Sequence, residues 1–254
     1  MPGSFALILH AHLPFVRHPE HAHFVEEEWL FEAINETYVP LLQMMQRLTN
    51  DGVPFKLTMS ISPTLCAMLQ DQLLRERYVR HLDLLIDLAA REGKRNRKHP
   101  QLFELAEFYI SLFSETRQQF VNEWNCDLLS GFRELRQTDA LEIIASAATH
   151  GLLPIIEQQS ARAARAQVLI GRDVYVELFG AEPDGFWLPE CGYAPGLESI
   201  LQEANLRWFV VDANGLLFGT PRPVIRWYFT PENFLVPRAI GPKCAMGRSK
   251  PMSR

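Results

Sequence analysis

An alternating α/β chain with parallel strands is the fold the sequence predicts, and three observations predict it. Short apolar runs of strand length recur along the chain, segments of helical period separate them, and several of the runs end on a polar residue able to do chemistry: His10, His150, Glu190 and Asp212. Parallel strands joined by helices present their C-terminal ends on one face, where side chains from different strands converge. Five such strands can be read, fewer than a closed eight-stranded barrel needs, so either the barrel is incomplete or a different strand count applies.

Each element follows from local chemistry. Phe5 to Leu9 is an uninterrupted apolar run that stops at His10, the pattern of a buried strand. Trp29 to Leu48 carries apolar residues at Leu30, Ile34, Tyr38, Leu41, Leu42, Met45 and Leu48, close to helical spacing, and Asp51-Gly52 ends it. Phe55 to Ile61 reads as the second strand. Ser62-Pro63 opens a helix sustained by apolar positions from Leu65 to Leu88, since serine caps and proline is tolerated at the first helical position. Arg91 to His99, REGKRNRKH, is a basic run without apolar period and reads as a solvated connection; with nothing aromatic interleaved, a phosphate-binding patch is the weaker reading. Gln101 to Glu134 is largely helical, Leu141 to Ala145 is a third strand ending near His150, and Ile155 to Phe179 reads as one long helix closed by Gly180. Gly185 to Leu188 is a fourth strand running into Pro189-Glu190, Leu197 to Ala204 a helix, and Trp208 to Val211 a fifth strand ending at Asp212.

Composition bounds the function. The 254 residues carry 25 Lys plus Arg against 30 Asp plus Glu, a net charge of -5 that argues against general nucleic-acid binding. At 47% hydrophobic and 22% charged the chain can bury a sizeable core. No run approaches the length of a membrane span, and MPGSFALILHAH lacks the features of a signal peptide, so the expected compartment is the cytoplasm, with no membrane partner. Cys66, Cys126, Cys191 and Cys244 lie far apart without C-x-x-C spacing, which suits free thiols.

Three groups of residues invite chemistry. His10 and His12 alternate on an extended segment and project to one side, as the first half of a metal site would; the competing reading has His10 bonding a substrate or a neighbouring backbone group. His18, His21 and His23 sit in the polar loop RHPEHAH and read as surface histidines. Glu190 follows a proline at a strand end and is flanked by Trp187 and Tyr193. Aromatic faces beside a carboxylate suit sugars, because a pyranose stacks on indole or phenol while the carboxylate attacks an anomeric carbon or moves a proton. A surface or helix-capping glutamate is the alternative. Trp29, opening an amphipathic helix, is either a core anchor or a sugar platform, and from the residues alone core packing is the better reading.

Four segments stand in a telling order: LILHAHLPFVRHP at 7 to 19, EEEWLFEAINETYVPLL at 26 to 42, EIIASAATHGLLPII at 142 to 156 and GFWLPECGYAPGLE at 185 to 198. Together they resemble glycoside hydrolase family 57, and within it the 1,4-α-glucan branching enzymes, over about residues 5 to 220. The resemblance implies a distorted barrel of seven β/α units, present here as an incomplete distorted (β/α)7 barrel, with a helical insertion around 91–135. It implies Glu190 as the nucleophile of a retaining glycosyl transfer, His10 and His150 binding the donor sugar, and His12 and Trp29 shaping the same pocket, to which the residues themselves add Trp187 and Tyr193 as sugar contacts beside Glu190. It also implies an α-1,4-glucan substrate such as amylose or glycogen, and chemistry without metal or organic cofactor. The family's α-amylase and 4-α-glucanotransferase activities would share Glu190.

Members of the family are longer, and their general acid is an aspartate on a later strand, beyond anything matched here. Asp212 lies in an earlier DANG segment, where relatives commonly carry histidine in place of Asn214, and the resemblance does not make it the acid. From about residue 221 to 254 the sequence ceases to resemble the family. The expectation is a chain truncated or frame-shifted near residue 220, complemented by a C-terminal polypeptide or left as a glucan-binding remnant.

Overall fold

The computed structural model describes residues 5–214 and the short strand Phe234–Leu235; the remainder of the expected 221–254 tail lies outside the described residues. The chain divides into two compact units. The described residues of Met1–His12, Leu57–Thr64 and Glu142–Arg254 form a strand unit, and Leu13–Lys56 with Leu65–Leu141 form a helical unit.

The strand unit is built on β1 (Ile8–Ala11), β2 (Leu57–Ile61), β3 (Leu141–Ser146), β4 (Gly185–Trp187) and β5 (Trp208–Asp212), in that order across one sheet. The pairs β1–β2, β3–β4 and β4–β5 are parallel. Sequential order without reversal is the winding of a barrel sector, not of a doubly wound sheet with a switch point. Phe234–Leu235, strand β6, pairs antiparallel with the end of β5. The strands are apolar on nearly every position because helices and neighbours cover them: Ile143, Ile144, Ala145, Phe186, Phe209 and Val210 are all buried. β1 begins later than the apolar run suggests. Phe5 is 82% exposed, since the register starts at Ile8↔Thr58 and carries through His10↔Ser60 to Ala11↔Ile61. The histidine is therefore inside the strand end, fixed by the ladder.

After β3 come α7 (Leu153–Gln159) and α8 (Ala161–Phe179), where the sequence suggests one helix. Ser160 breaks it: its backbone is extended, and its hydroxyl accepts from the Ala163 N–H as an N-cap. Gly180, at φ 69, closes α8 in the left-handed conformation as expected. Gly171 lets α8 approach the sheet, for a Cβ there would lie 2.0 Å from the Ser146 carbonyl oxygen. The short helix α9 (Leu197–Glu203) precedes β5.

In the helical unit, α1 (Val25–Ala33) and α2 (Val39–Asn50) form one continuous rod through a π-turn at Ile34–Tyr38. Pro40 has no N–H to give an α-helical partner, and the turn before it closes with the Val39 N–H on Ile34 O, five residues back. Leu30, Ile34, Tyr38, Leu42 and Met45 are buried as their spacing predicts. Helix α3 (Pro63–Gln70) leads to α4 (Gln72–Arg95), again two helices where one apolar period runs through, because Asp71 is extended and its side chain caps Leu74. The basic run is helical as far as Arg95 rather than a loop from Arg91. Beyond it α5 (Pro100–Gln118), a second π-turn and α6 (Leu128–Gln137) complete the unit. Arg77 and Glu27 form a buried ion pair, Nη1 to Oε2 2.6 Å, and Arg77 also donates to the carbonyls of His18 and His21. The histidine-rich loop is thus tied down by its backbone, with the His21 and His23 rings left largely to solvent. No helix among the described residues is long and apolar enough to cross a membrane.

Candidate active site

The C-terminal ends of β1 to β5 carry the polar residues singled out in the sequence. On β1, His10 Nδ1 lies 3.1 Å from Ser60 Oγ on β2. His12, just past the strand, repeats the contact two residues on, with Nδ1 2.9 Å from Ser62 Oγ. The parallel register makes both contacts, because His10 and Ser60 are paired across the ladder and side chains at i and i+2 share a face. Ser60 and Ser62 are fully buried. Sequence reasoning passed over them, although S-x-S on β2 matches the spacing of H-x-H on β1.

His150 arrives from the turn after β3. Its N–H reaches back to Ala147 O at 3.2 Å, and its φ of 56° is in the left-handed region, uncommon for residues other than glycine though histidine is among those that tolerate it best. The turn is held against α8 by Gln167, whose side chain accepts from the Thr149 N–H and donates to Thr149 Oγ1. The result brings three imidazoles together. His10 Nε2 is 3.0 Å from His150 Nε2, and the His12 and His150 rings stack at 3.7 Å. Burial, then the neighbouring His150 and His12, pulls the His10 pKa down to about 3; burial and His12 pull His150 down to about 4. Both are neutral bases at neutral pH. Burial also lowers His12, opposed by the Glu190 carboxylate.

Trp187, on β4, lies flat against His10, centroids 4.2 Å apart and planes 6° from parallel. It is only 7% exposed and belongs to a core cluster with Ile144, Cys191 and Val210. The indole that the sequence places beside Glu190 thus forms a floor beneath His10, one of its faces covered by the imidazole. Tyr193 packs on Phe209 and its hydroxyl donates to Glu198 Oε2 at 2.8 Å. Trp29 lies on α1 in the helical unit, 47% exposed, which removes the reading of it as a core anchor.

Glu190 sits in a single turn of 3-10 helix, Pro189–Cys191, directly after β4. Glu190 and Cys191 both have positive φ, 55° and 53°. The turn buries Pro189 and Cys191 and leaves Glu190 exposed between them. Burial pushes the Cys191 thiol up to about 12, with the charges of Asp212 and Glu190 adding to the rise. Asp212 ends β5 and accepts from the Asn214 N–H at 2.8 Å. Among the described residues no group of three or more His, Cys, Asp or Glu side chains is arranged to hold a metal ion. The site therefore offers an exposed carboxylate and a neutral cluster of histidines able to donate and accept hydrogen bonds to hydroxyl groups.

Residues 6–239 match the glycosyl hydrolase family 57 profile. The chain is 34% identical over 229 residues to a 1,4-alpha-glucan branching enzyme of Thermococcus kodakarensis, covering 84% of this chain and 33% of that protein. A probable 1,4-alpha-glucan branching enzyme of Mycobacterium tuberculosis is 27% identical over 230 residues, 85% of this chain and 43% of its own length. This chain thus spans between a third and a half of these relatives. Among solved structures, an alpha-amylase from Thermotoga maritima is similar at a TM-score of 0.84 and 40% identity, over 92% of this chain and 45% of that one. A branching enzyme from Pyrococcus horikoshii follows at 0.79 and 32%, over 89% and 45%. With the family profile matched over residues 6–239 of its 254, and with structural neighbours at TM-scores of 0.84 and 0.79, this chain belongs to glycosyl hydrolase family 57.

Proposed function

We propose that the strand ends of this chain bind an α-1,4-glucan of the glycogen type and that Glu190 is the nucleophile of a retaining glycosyl transfer of the branching kind, carried out in the cytoplasm. The observation that carries this reading is the convergence of His10, His12 and His150 beside Glu190, itself raised from the sheet end by a left-handed turn. Non-glycine residues are held in such conformations where the surroundings over-determine them, and such residues cluster at active sites and ligand clamps.

In the proposed reaction the Glu190 carboxylate attacks the anomeric carbon as the bond to the departing glucan oxygen breaks. A second carboxylic acid protonates that oxygen, and retaining enzymes hold the two carboxyls about 5–5.5 Å apart. A glucan 6-hydroxyl then displaces Glu190 as carboxylate, gives its proton to the second carboxylate, and forms the α-1,6 branch. His10 and His150, uncharged, hold sugar hydroxyls without adding charge beside the developing oxocarbenium. No described residue is assigned the acid role, and we propose that a complementing C-terminal polypeptide contributes it. Hydrolysis by the same nucleophile is the second reading, favoured by the likeness to the Thermotoga alpha-amylase.

Because fluoride leaves without protonation, an activated α-maltosyl fluoride tests the nucleophile independently of the acid. Mass spectrometry of the protein after reaction should find a glycosyl adduct on the peptide holding Glu190, absent in Glu190→Gln. An adduct on another residue removes the assignment. Where transfer products accumulate, new α-1,6 linkages support branching, and shortened linear chains alone support the amylase reading.

A further inference from the structure

We propose that Glu198 is a positioning residue for Glu190: its carboxylate pins the loop that follows the Glu190 turn, through the Tyr193 hydroxyl and the Gly196 N–H, and so holds Glu190 in its left-handed backbone conformation.

Two successive non-glycine residues in that conformation, Glu190 at φ 55° and Cys191 at φ 53°, persist only where the surroundings over-determine them. The hydrogen bonds inside the turn, Cys191 N–H to Leu188 O at 2.8 Å and Gly192 N–H to Pro189 O at 3.0 Å, are local and do not tie it to the rest of the fold. The constraint has to come from the loop beyond it. Gly192 is pressed against the segment after β3, where a Cβ would lie 2.6 Å from Leu152 Cδ1 and 3.4 Å from Pro154 Cδ, so the loop has no slack on that side. The Tyr193 ring stacks on Phe209, centroids 5.7 Å apart and planes 12° from parallel. Phe209 pairs with Phe186 across β4 and β5, one residue out of step with the Trp187–Val210 pair, and alternate residues of a strand point to opposite faces. Tyr193 therefore grips the face of the sheet away from Trp187, whose ring lies against His10.

A stack lets a ring slide, and Glu198 supplies the direction. From the first turn of α9 its Oε2 accepts from the Tyr193 hydroxyl and from the Gly196 N–H, each at 2.8 Å. Toward a carboxylate both groups can only donate, so the polarity is fixed. Leu197 and Leu201 are fully buried and seat α9, which makes that oxygen a fixed point for both ends of residues 193–196. Because one oxygen takes both bonds, Glu198→Gln can keep them while losing the charge, and Glu198→Ala loses them. Once they are lost the turn is free to relax and carry the Glu190 carboxylate away. A displacement of about 1 Å in a reacting group can cost about 10²-fold in rate. That consequence rests on the function proposed above; the hold of Glu198 on the turn does not.

Two measurements on the full chain test the proposal. In urea denaturation Glu190→Gly should be more stable than Glu190→Ala, since glycine adopts the left-handed region freely. Combined with Glu198→Ala the gap should close, because the turn is no longer held in that conformation, and combined with Glu198→Gln it should reopen. Tyr193→Phe, which keeps the stacked ring and loses one of the two bonds, should narrow it. No gap in the unsubstituted background, or a full gap in Glu198→Ala or, where that variant does not fold, in Tyr193→Phe, overturns the proposal. The second measurement is the rate of glycosyl adduct formation from α-maltosyl fluoride. At saturating substrate Glu198→Ala should be slower by about ten- to a hundred-fold with the half-saturating concentration unchanged, and Glu198→Gln should recover most of the rate. A Glu198→Ala chain that reacts at the unsubstituted rate overturns the proposal, as does a Glu198→Gln chain equally slow, which would assign the effect to charge. If the unsubstituted chain forms no adduct while the stability gap opens and closes as stated, the functional reading fails and the hold of Glu198 on the turn survives.

Discussion

Glu190 pays for its position in backbone strain, and the strain is measurable. An L-residue in the left-handed region is disfavoured by roughly 1–2 kcal/mol, whereas glycine adopts it freely. Glu190→Ala and Glu190→Gly both remove the carboxylate, so their difference reports the backbone alone. We expect the Gly variant to be the more stable of the two by about 1 kcal/mol in urea denaturation, with neither forming a glycosyl adduct. Equal stability would mean the turn relaxes when the side chain is lost. The histidines make a second prediction. Unfolded, His10 and His150 titrate near 6.5; folded, burial lowers them to about 3 and 4. Above 6.5 both states are neutral and the pair has no effect. As pH falls below 6.5 the unfolded chain takes up protons that the folded chain refuses, so stability declines through that window until the folded groups themselves protonate. The exposed carboxylates that are shifted, such as Glu20 and Glu203, start from 4.5 and act lower on the scale. Between pH 7.5 and 5 the denaturation midpoint should therefore drop, and drop less in His10→Gln/His150→Gln. His10, His150 and Glu190 were legible because each interrupts or follows an apolar run. Ser60 and Ser62 were not, since a buried serine declares its partner only through strand register.

At the scale of elements, strands were read well and helix breaks were not. Apolar runs of strand length announce themselves, whereas the breaks at Asp71 and Ser160 lie inside unbroken helical periods. In both, a short polar side chain captures an N–H of the next helix and turns the chain without disturbing the apolar spacing. The π-turn at Ile34–Tyr38 was invisible for the same reason, the apolar positions on either side keeping their four-residue steps. One close approach was equally hidden. Gly171 lies within α8, where glycine ordinarily weakens a helix and alanine would strengthen it. Here the added methyl would sit 2.0 Å from Ser146 O and 3.1 Å from Ala148 N, both backbone atoms that cannot swing aside. Gly171→Ala should consequently destabilise by about 1–3 kcal/mol, as overpacking does, despite the gain in propensity. Because the displaced backbone leads into the turn carrying His150, the His150 ring-nitrogen NMR signals should shift with it. Gly52, whose Cβ would meet nothing within 4 Å but whose φ is 67°, provides a control in which alanine costs strain and leaves those signals unmoved.

At the scale of the whole molecule, the strand unit presents the proposed nucleophile Glu190 and the histidines proposed to hold sugar, while retaining chemistry asks for one further carboxyl. The two requirements respond differently to the substrate. Attack by Glu190 is needed whatever leaves, but proton donation matters only when the leaving oxygen is a poor one, as in a natural glucan. General acid help is worth roughly 10²–10⁴ in rate. If the acid comes from a complementing polypeptide, this chain alone should turn over α-maltosyl fluoride while its rate on amylose lies lower by that factor, relative to the same ratio in a full-length relative. Adding the C-terminal part of the Thermococcus branching enzyme should then raise the amylose rate and leave the fluoride rate nearly constant. A chain that handles both substrates as the relative does must hold its own acid. Asp212, at the end of β5 and, like Glu190, acting electrostatically on the Cys191 thiol, would be the residue to replace first.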